Sequence, residues 1–187
     1  MESPDVAVVI VTYRSAELAI ACLGSIEQER SIASARIRVV LVDNASGDAA
    51  AIAAAIAANR WGAWAQLIAA PRNGGFAYGN NLGVNYAFRQ SMPDYLYLLN
   101  PDTEVRPGVI DSLVRFLKNT PAAGIAGSSI ENRDGSDWPF AFRFPSLQSE
   151  VITECSGARS PDSSSAGMSP YRWIGPPGRL TGSRVRG

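Results

Sequence analysis

The chain has 187 residues, 46% of them hydrophobic, and balances 17 Lys and Arg against 17 Asp and Glu, so it can build one core and carries no net field toward nucleic acid or anionic lipid. It has no histidine, which excludes Ser/His/Asp and Cys/His nucleophile arrangements and His-ligated zinc sites together. Lys118 is the only lysine and stands outside any GxxxxGK[ST] pattern, excluding a P-loop, while Cys22 and Cys155 make neither a disulfide framework nor a CxxC knuckle and suit a reducing compartment.

Residues 6–11 read VAVVIV, a continuous β-branched run of the kind found in a strand covered on both faces. Ser15 stands where it can cap a helix whose apolar positions Ala19, Cys22, Leu23 and Ile26 follow the i, i+3, i+4, i+7 pattern. The unit repeats with a second buried strand over 37–42, a polar turn over 43–48 and an alanine-rich helix over 48–60, with Ile52 and Ile56 one turn apart. The small-apolar run at 49–58 is far short of the ~20 residues that cross a bilayer, and no basic-then-apolar leader opens the sequence. A soluble protein without a transmembrane segment, in the cytoplasm or at the inner membrane face, is the expectation.

A third strand is predicted over 66–70, a loop over 71–75, a helix over 76–90 burying Leu82 and Tyr86, and a fourth strand over 95–99. After the loop NPDTEV, Pro107 suits the first turn of a helix with Val109, Ile110, Leu113, Val114 and Leu117 on its apolar face, ended by Pro121. Residues 124–130 are predicted as a fifth strand. Strands alternating with helices through short connections imply right-handed crossovers, hence an α/β, Rossmann-like, mostly parallel sheet with helices on both faces.

The pattern stops near residue 130. Residues 156–187 contain 6 Gly, 4 Pro and 7 Ser, 17 of 32, without an apolar period, and are expected to be irregular. Five arginines in this stretch face one acid, Asp162, a pattern that a solvated basic tail explains as well as a phosphate or membrane contact does. The organisation read from sequence is therefore 1–130 as the nucleotide-binding half, 131–155 as a partial acceptor-side segment and 156–187 as the tail.

In an open parallel sheet, ligands bind beyond the carboxyl ends of the strands. After the first strand come Thr12, Tyr13 and Arg14; they lack GxGxxG, which argues against a dinucleotide pyrophosphate, but Tyr13 could stack on a base. After the second come Asp43 and Asn44, where a carboxylate can accept from a base imide or ribose hydroxyl, although Asp-Asn also starts ordinary turns. After the third comes RNGGFAYGNNLG, in which four glycines and three asparagines lower helix stability, so that close backbone approach to a ligand is one reading and a plain glycine-rich turn another. Free N–H groups at that helix start, with Arg72, Asn73, Gly74, Gly75 and Asn81, would suit a diphosphate. After the fourth strand, Asp102 is the candidate metal ligand, with Glu104 two residues on, because hard divalent ions take oxygen ligands and bridge carboxylate to phosphate.

Taken in order, VVIVTYR, LVDNASGD, RNGGFAYGNNLG and LLNPDTEV resemble the amino-terminal half of the family-two inverting glycosyltransferases of the GT-A fold, rhamnosyltransferase-like branch, over residues 6–130. The resemblance implies transfer of a sugar with inversion from a dTDP- or UDP-linked donor, a divalent metal (Mg²⁺ or Mn²⁺), and a saccharide or lipid-linked acceptor. It places the nucleotide on Thr12 and Tyr13, the base on Asp43, the donor pocket around Asn73 and the metal on Asp102, the last position of a DxD motif whose first position here is Asn100. In the family the resemblance points to, the catalytic base lies in a Glu-Asp motif that this sequence does not contain after Glu131, so the expectation is a truncated or frame-disrupted member lacking that half, with a non-catalytic sugar-nucleotide-binding module as the alternative.

Overall fold

The computed structural model describes residues 3–132 and 136–138. These fall in two compact units, the first ending at Asn119 and the second beginning at Thr120. The segment expected on the acceptor side and the tail over 156–187 lie outside the described residues, except for 131, 132 and 136–138.

The first unit runs β1 (Asp5–Thr12), α1 (Ala16–Ile32), β2 (Arg36–Asp43), α2 (Ala49–Ala58), β3 (Ala65–Ala69), α3 (Gly75–Gln90), β4 (Tyr95–Leu99) and α4 (Val109–Asn119). Its four strands are all parallel, in the order β3-β2-β1-β4. Successive strands step from β1 to β2 to β3, and then the chain returns across the sheet to β4. With right-handed crossovers that reversal places α3 on the face opposite α1 and α2. It also creates a switch point between β1 and β4.

Both faces of β1 are sealed, as its apolar run requires. Gly79 and Gly83 of α3 sit over Val11 and Val9, and Ala7, Val11, Val40, Val42 and Ala87 form the core on that side. Val6, Val8 and Ile10, which alternate with them, are equally buried on the other side. Burying each such side chain contributes about 1.5–3 kcal/mol relative to exposure, so this strand is the main apolar anchor of the unit. Arg38 ties the far end of α3 to β2 by donating to Ala87 O and Ser91 O.

Several expectations need correction. Residues 124–129 form no strand; the second unit has instead a short antiparallel pair, β5 (Ile130–Glu131) with β6 (Asp137–Trp138). The segment GIAGSS is rich in small residues with little β preference, and Ile125, its one large apolar residue before Ile130, is 71% exposed. Helix α4 starts at Val109, not at Pro107, because Gly108 has φ +87, outside the helical region. Helix α2 stops at Ala58, and left-handed Arg60 (φ 60) leads into a 3₁₀ turn, Trp61–Ala63, that periodicity did not signal. Helix α3 buries Gly79, Asn80, Gly83 and Ala87 most deeply, with Leu82 and Tyr86 only partly covered at the core's edge.

Candidate functional site

The carboxyl ends of β1 and β2 are built alike. Thr12 pairs with Asp43 across the strands, and each is followed by a left-handed, non-glycine residue: Arg14 (φ 54) after β1 and Ala45 (φ 59) after β2. Such residues cost of order 1–3 kcal/mol and persist where surrounding contacts enforce them. Here the enforcing contacts match. The Thr12 and Ser15 hydroxyls hydrogen-bond at 2.8 Å, and Asp43 Oδ1 accepts from both the backbone N–H and the hydroxyl of Ser46. Ser15 thus takes the N-cap position of α1, but its hydroxyl is engaged with Thr12 and makes no capping bond.

The two turns are also tied to each other and to the glycine-rich loop. Asn44 N–H donates to Thr12 O, and Ala70 N–H donates to Asp43 O. The Asn44 side chain is 3% exposed: its Nδ2 donates to Asn73 Oδ1 at 2.9 Å and Gly75 O at 3.2 Å, while its Oδ1 accepts from Gly74 N at 3.3 Å. Asn73 Oδ1 also accepts from Gly75 N at 3.0 Å. Asn44 therefore holds the Arg72–Gly75 turn with its whole amide, and the Gly74 and Gly75 N–H groups, expected to be free for a diphosphate, are instead taken up by Asn44 and Asn73 because the turn satisfies its own backbone.

Around this network stand exposed aromatic and cationic groups. Tyr13 is 42% exposed with the Arg14 guanidinium 5.2 Å from its ring centroid, and Arg72 lies 4.9 Å over Tyr78. Planar rings and guanidinium groups at a strand-end loop can stack on a base or meet a phosphate. Asn81 lies exposed in the second turn of α3, outside the hydrogen-bonded network, whereas its neighbour Asn80 is buried and donates to Phe76 O.

Asp102 is exposed in the β4–α4 loop, on the other side of the switch point from β2. Cys22 of α1 attaches to the start of the same loop, its buried thiol donating to Asn100 O at 3.9 Å. Burial pushes that thiol up to about 12, and the carboxylates of Asp102 and Glu104 push the same way. Among the described residues no group of three or more His, Cys, Asp or Glu is placed to hold a metal. An exposed carboxylate still fits a Mg²⁺ or Mn²⁺ ion that keeps waters and takes its remaining oxygens from a diphosphate.

Sequence reasoning missed Ser15 and Ser46 as partners of Thr12 and Asp43. The signal was present as a hydroxyl three residues after each strand's last polar residue, in TYRS and DNAS. A shallow cavity lined by Pro4, Ser34, Asp111 and Lys118 lies at the opposite, amino-terminal edge of the sheet and holds none of these groups.

The fold class follows from this architecture and from its likeness to solved structures. Residues 1–349 of TarS from S. aureus superpose with a TM-score of 0.51 at 17% identity, covering 63% of this chain and 33% of that one. A mannosyltransferase from Pyrobaculum calidifontis, solved in complex with GDP-Man and Mn²⁺, superposes at 0.50 with 23% identity over 71% of this chain and 37% of that one. These are GT-A glycosyltransferases, and the α/β, mostly parallel sheet described above is that fold. A family model described as glycosyl transferase family 2 matches residues 7–157, and the chain belongs to that family. An N-acetylglucosaminyl-diphospho-decaprenol L-rhamnosyltransferase of Mycobacterium tuberculosis is 41% identical over 54 residues, 29% of this chain and 18% of that enzyme. The chain thus spans under a fifth of the curated relative and about a third of the structures it matches. Among the described residues no helix is long and apolar enough to cross a membrane.

Proposed function

We propose that this chain binds a nucleoside-diphosphate sugar across the β1/β4 switch point as the donor half of a glycosyltransferase. The sugar is rhamnose-like, the donor dTDP- or UDP-linked, and the acceptor a hydroxyl of a saccharide or lipid-linked saccharide in polysaccharide or glycolipid assembly. The observation that carries this reading is the hydrogen-bonded network joining Thr12, Asp43, Asn44 and the Asn73–Gly75 turn at one edge of the sheet, with the exposed carboxylate of Asp102 on the neighbouring strand end. Membership of family 2 supports a sugar transfer. The name of the mycobacterial relative supports rhamnose and a lipid-linked acceptor, and the ligands of the solved neighbours, GDP-Man with Mn²⁺ and UDP-GlcNAc, support a nucleotide-linked donor and a divalent ion.

In this reading Asp43, fixed by Ser46, accepts from the base or ribose, Tyr13 stacks on the base, and the Arg14 and Arg72 guanidinium groups meet the diphosphate. Asp102 would hold the Mg²⁺ or Mn²⁺, which supplies positive charge to the leaving diphosphate. A base must also take the acceptor's proton. We assign no described residue to that task; without one the same edge binds donor and transfers nothing.

Calorimetric titration with dTDP and UDP, each with and without Mn²⁺, tests the reading. Binding strengthened by Mn²⁺ is expected for the parent, loss of only the Mn²⁺ effect for Asp102→Ala, and weaker binding with or without metal for Asp43→Ala. A folded parent that binds neither nucleotide, or variants that bind as the parent does, would overturn the assignment.

A further inference from the structure

Four backbone groups of the β4–α4 loop, which carries Asp102, and of the start of α4 bond to one stripe of α1. Cys22, Ser25 and Glu29 stand at i, i+3 and i+7 on that helix, one face by its period. Cys22 Sγ donates to Asn100 O at 3.9 Å. Ser25 Oγ accepts from Val105 N at 2.9 Å while donating to Cys22 O at 2.7 Å within its own helix. Glu29 is 0% exposed, and its two carboxylate oxygens accept from Gly108 N and Ile110 N, at the start of α4.

Three features make this stripe more than packing. A buried carboxylate is among the costliest groups to place in a protein interior, and this one is matched to N–H groups at the positive end of a helix dipole. Ser25 is the hinge of a two-bond relay, since the hydroxyl that accepts from the loop is itself oriented by donating to α1. The three anchors hold the loop at residues 100, 105 and 108–110, and Asp102 stands on the crest between the first and second. Within the loop, Thr103 N–H donates to Asn100 O at 3.2 Å, so the turn bearing Asp102 is closed on the same residue that Cys22 engages.

We propose that Ser25 and Glu29 are positioning residues for Asp102: through Val105, Gly108 and Ile110 they fix the crest of the loop so that one carboxylate can hold a divalent cation against a diphosphate. The inference rests on the reading of Asp102 given above. A site with one protein ligand has little chelate support and depends on preorganisation, because ordering a mobile loop at binding would subtract from the affinity.

The test uses the full chain and the ratio of its affinity for UDP, or for dTDP if that is the nucleotide bound, with and without Mn²⁺. Ser25→Ala is expected to lower that ratio by about twofold to tenfold, the range of one lost hydrogen bond, while affinity for the nucleotide alone stays as in the parent. Ser25→Thr, whose hydroxyl can bond the same preceding turn of the helix, restores the ratio. Glu29→Gln presents an NH₂ to a backbone N–H and lowers the ratio further; should it fail to fold, the serine pair decides alone. A parent showing no Mn²⁺ effect overturns both this inference and the role of Asp102. A parent with the effect and a Ser25→Ala variant that keeps it in full overturns this inference alone. Loss of nucleotide binding without metal in Ser25→Ala also overturns it, since that would mark a general structural role.

Discussion

Asn44 Nδ2 donates to Asn73 Oδ1 at 2.9 Å, joining the residue after β2 to the turn that opens α3, 29 positions later in the chain. All three polar partners of this amide lie in the same turn, and its Oδ1 and Nδ2 cannot exchange roles without facing like groups. Asn44→Asp keeps the shape but points an acceptor at Asn73 Oδ1 and Gly75 O. It is expected to destabilise the protein by about 1–3 kcal/mol, the cost of leaving buried polar groups unmatched. Urea denaturation of parent and variant measures this, and an unchanged midpoint would refute it.

Gly83 lies against β1 so closely that an added Cβ would come within 2.5 Å of Val9 Cγ1 and 3.3 Å of Val42 Cγ2. Gly83→Ala gains up to ~1 kcal/mol of helix propensity but loses about 1–3 kcal/mol to overpacking, so the net effect is destabilising. Val9→Ala removes the clashing methyl groups. The double variant is expected to be more stable than the sum of the two single changes, a coupling that a double-mutant cycle reads directly.

Gly24, inside α1, has no heavy atom of the described residues within 4 Å of where a Cβ would stand, beyond its own helix backbone and chain neighbours, and its φ is not in the left-handed region. Gly24→Ala is therefore expected to raise stability by about 0.5–1 kcal/mol, chiefly by restricting the unfolded chain. A melting temperature at or below the parent's would contradict it.

These glycines show what was legible in the sequence and what was not. Four of them in RNGGFAYGNNLG pointed to a ligand from composition alone, yet Gly79 and Gly83 are small because α3 must lie close on Val11 and Val9, and only Gly74 and Gly75 belong to the turn held by Asn44. Composition does not distinguish the two causes, since both are close approaches and the partner is remote in sequence. Buried parallel strands were readable as β1 and β2 because both faces demand apolar residues. The β4–α4 loop was readable as polar, but not its attachment to Ser25 and Glu29. On α1 Glu29 looks like any solvated acid until α4 is placed over it.

Cys22 illustrates a group whose chemistry is suppressed by its surroundings. Burial, together with the nearby carboxylates of Asp102 and Glu104, pushes its thiol up to about 12, so almost no thiolate exists at neutral pH. In a Cys155→Ser background, a disulfide reagent at pH 8 is expected to label Cys22 only at the rate of unfolding, and full labelling in denaturant. Fast labelling of the folded chain would show that the contact between α1 and Asn100 is open.

Asp111, in the first turn of α4, is a pH-dependent brace between that helix and the turn leading into β2. Burial alone would raise its carboxyl, but hydrogen bonds from Ser34 Oγ at 2.6 Å, Ser34 N at 2.8 Å and Ala35 N at 3.2 Å, with the Arg115 charge, outweigh it and leave the group below its ordinary value of 3.8. A carboxyl lowered in the folded state stabilises that state above its unfolded value, and the contribution disappears as pH falls through the folded value. Asp111→Asn should thus be less stable than the parent near pH 6, with the difference shrinking as the pH drops below about 3.8. Thermal melts of both proteins across the acid range measure the two curves. A gap that persisted or widened at low pH would mean that the brace works through shape rather than charge.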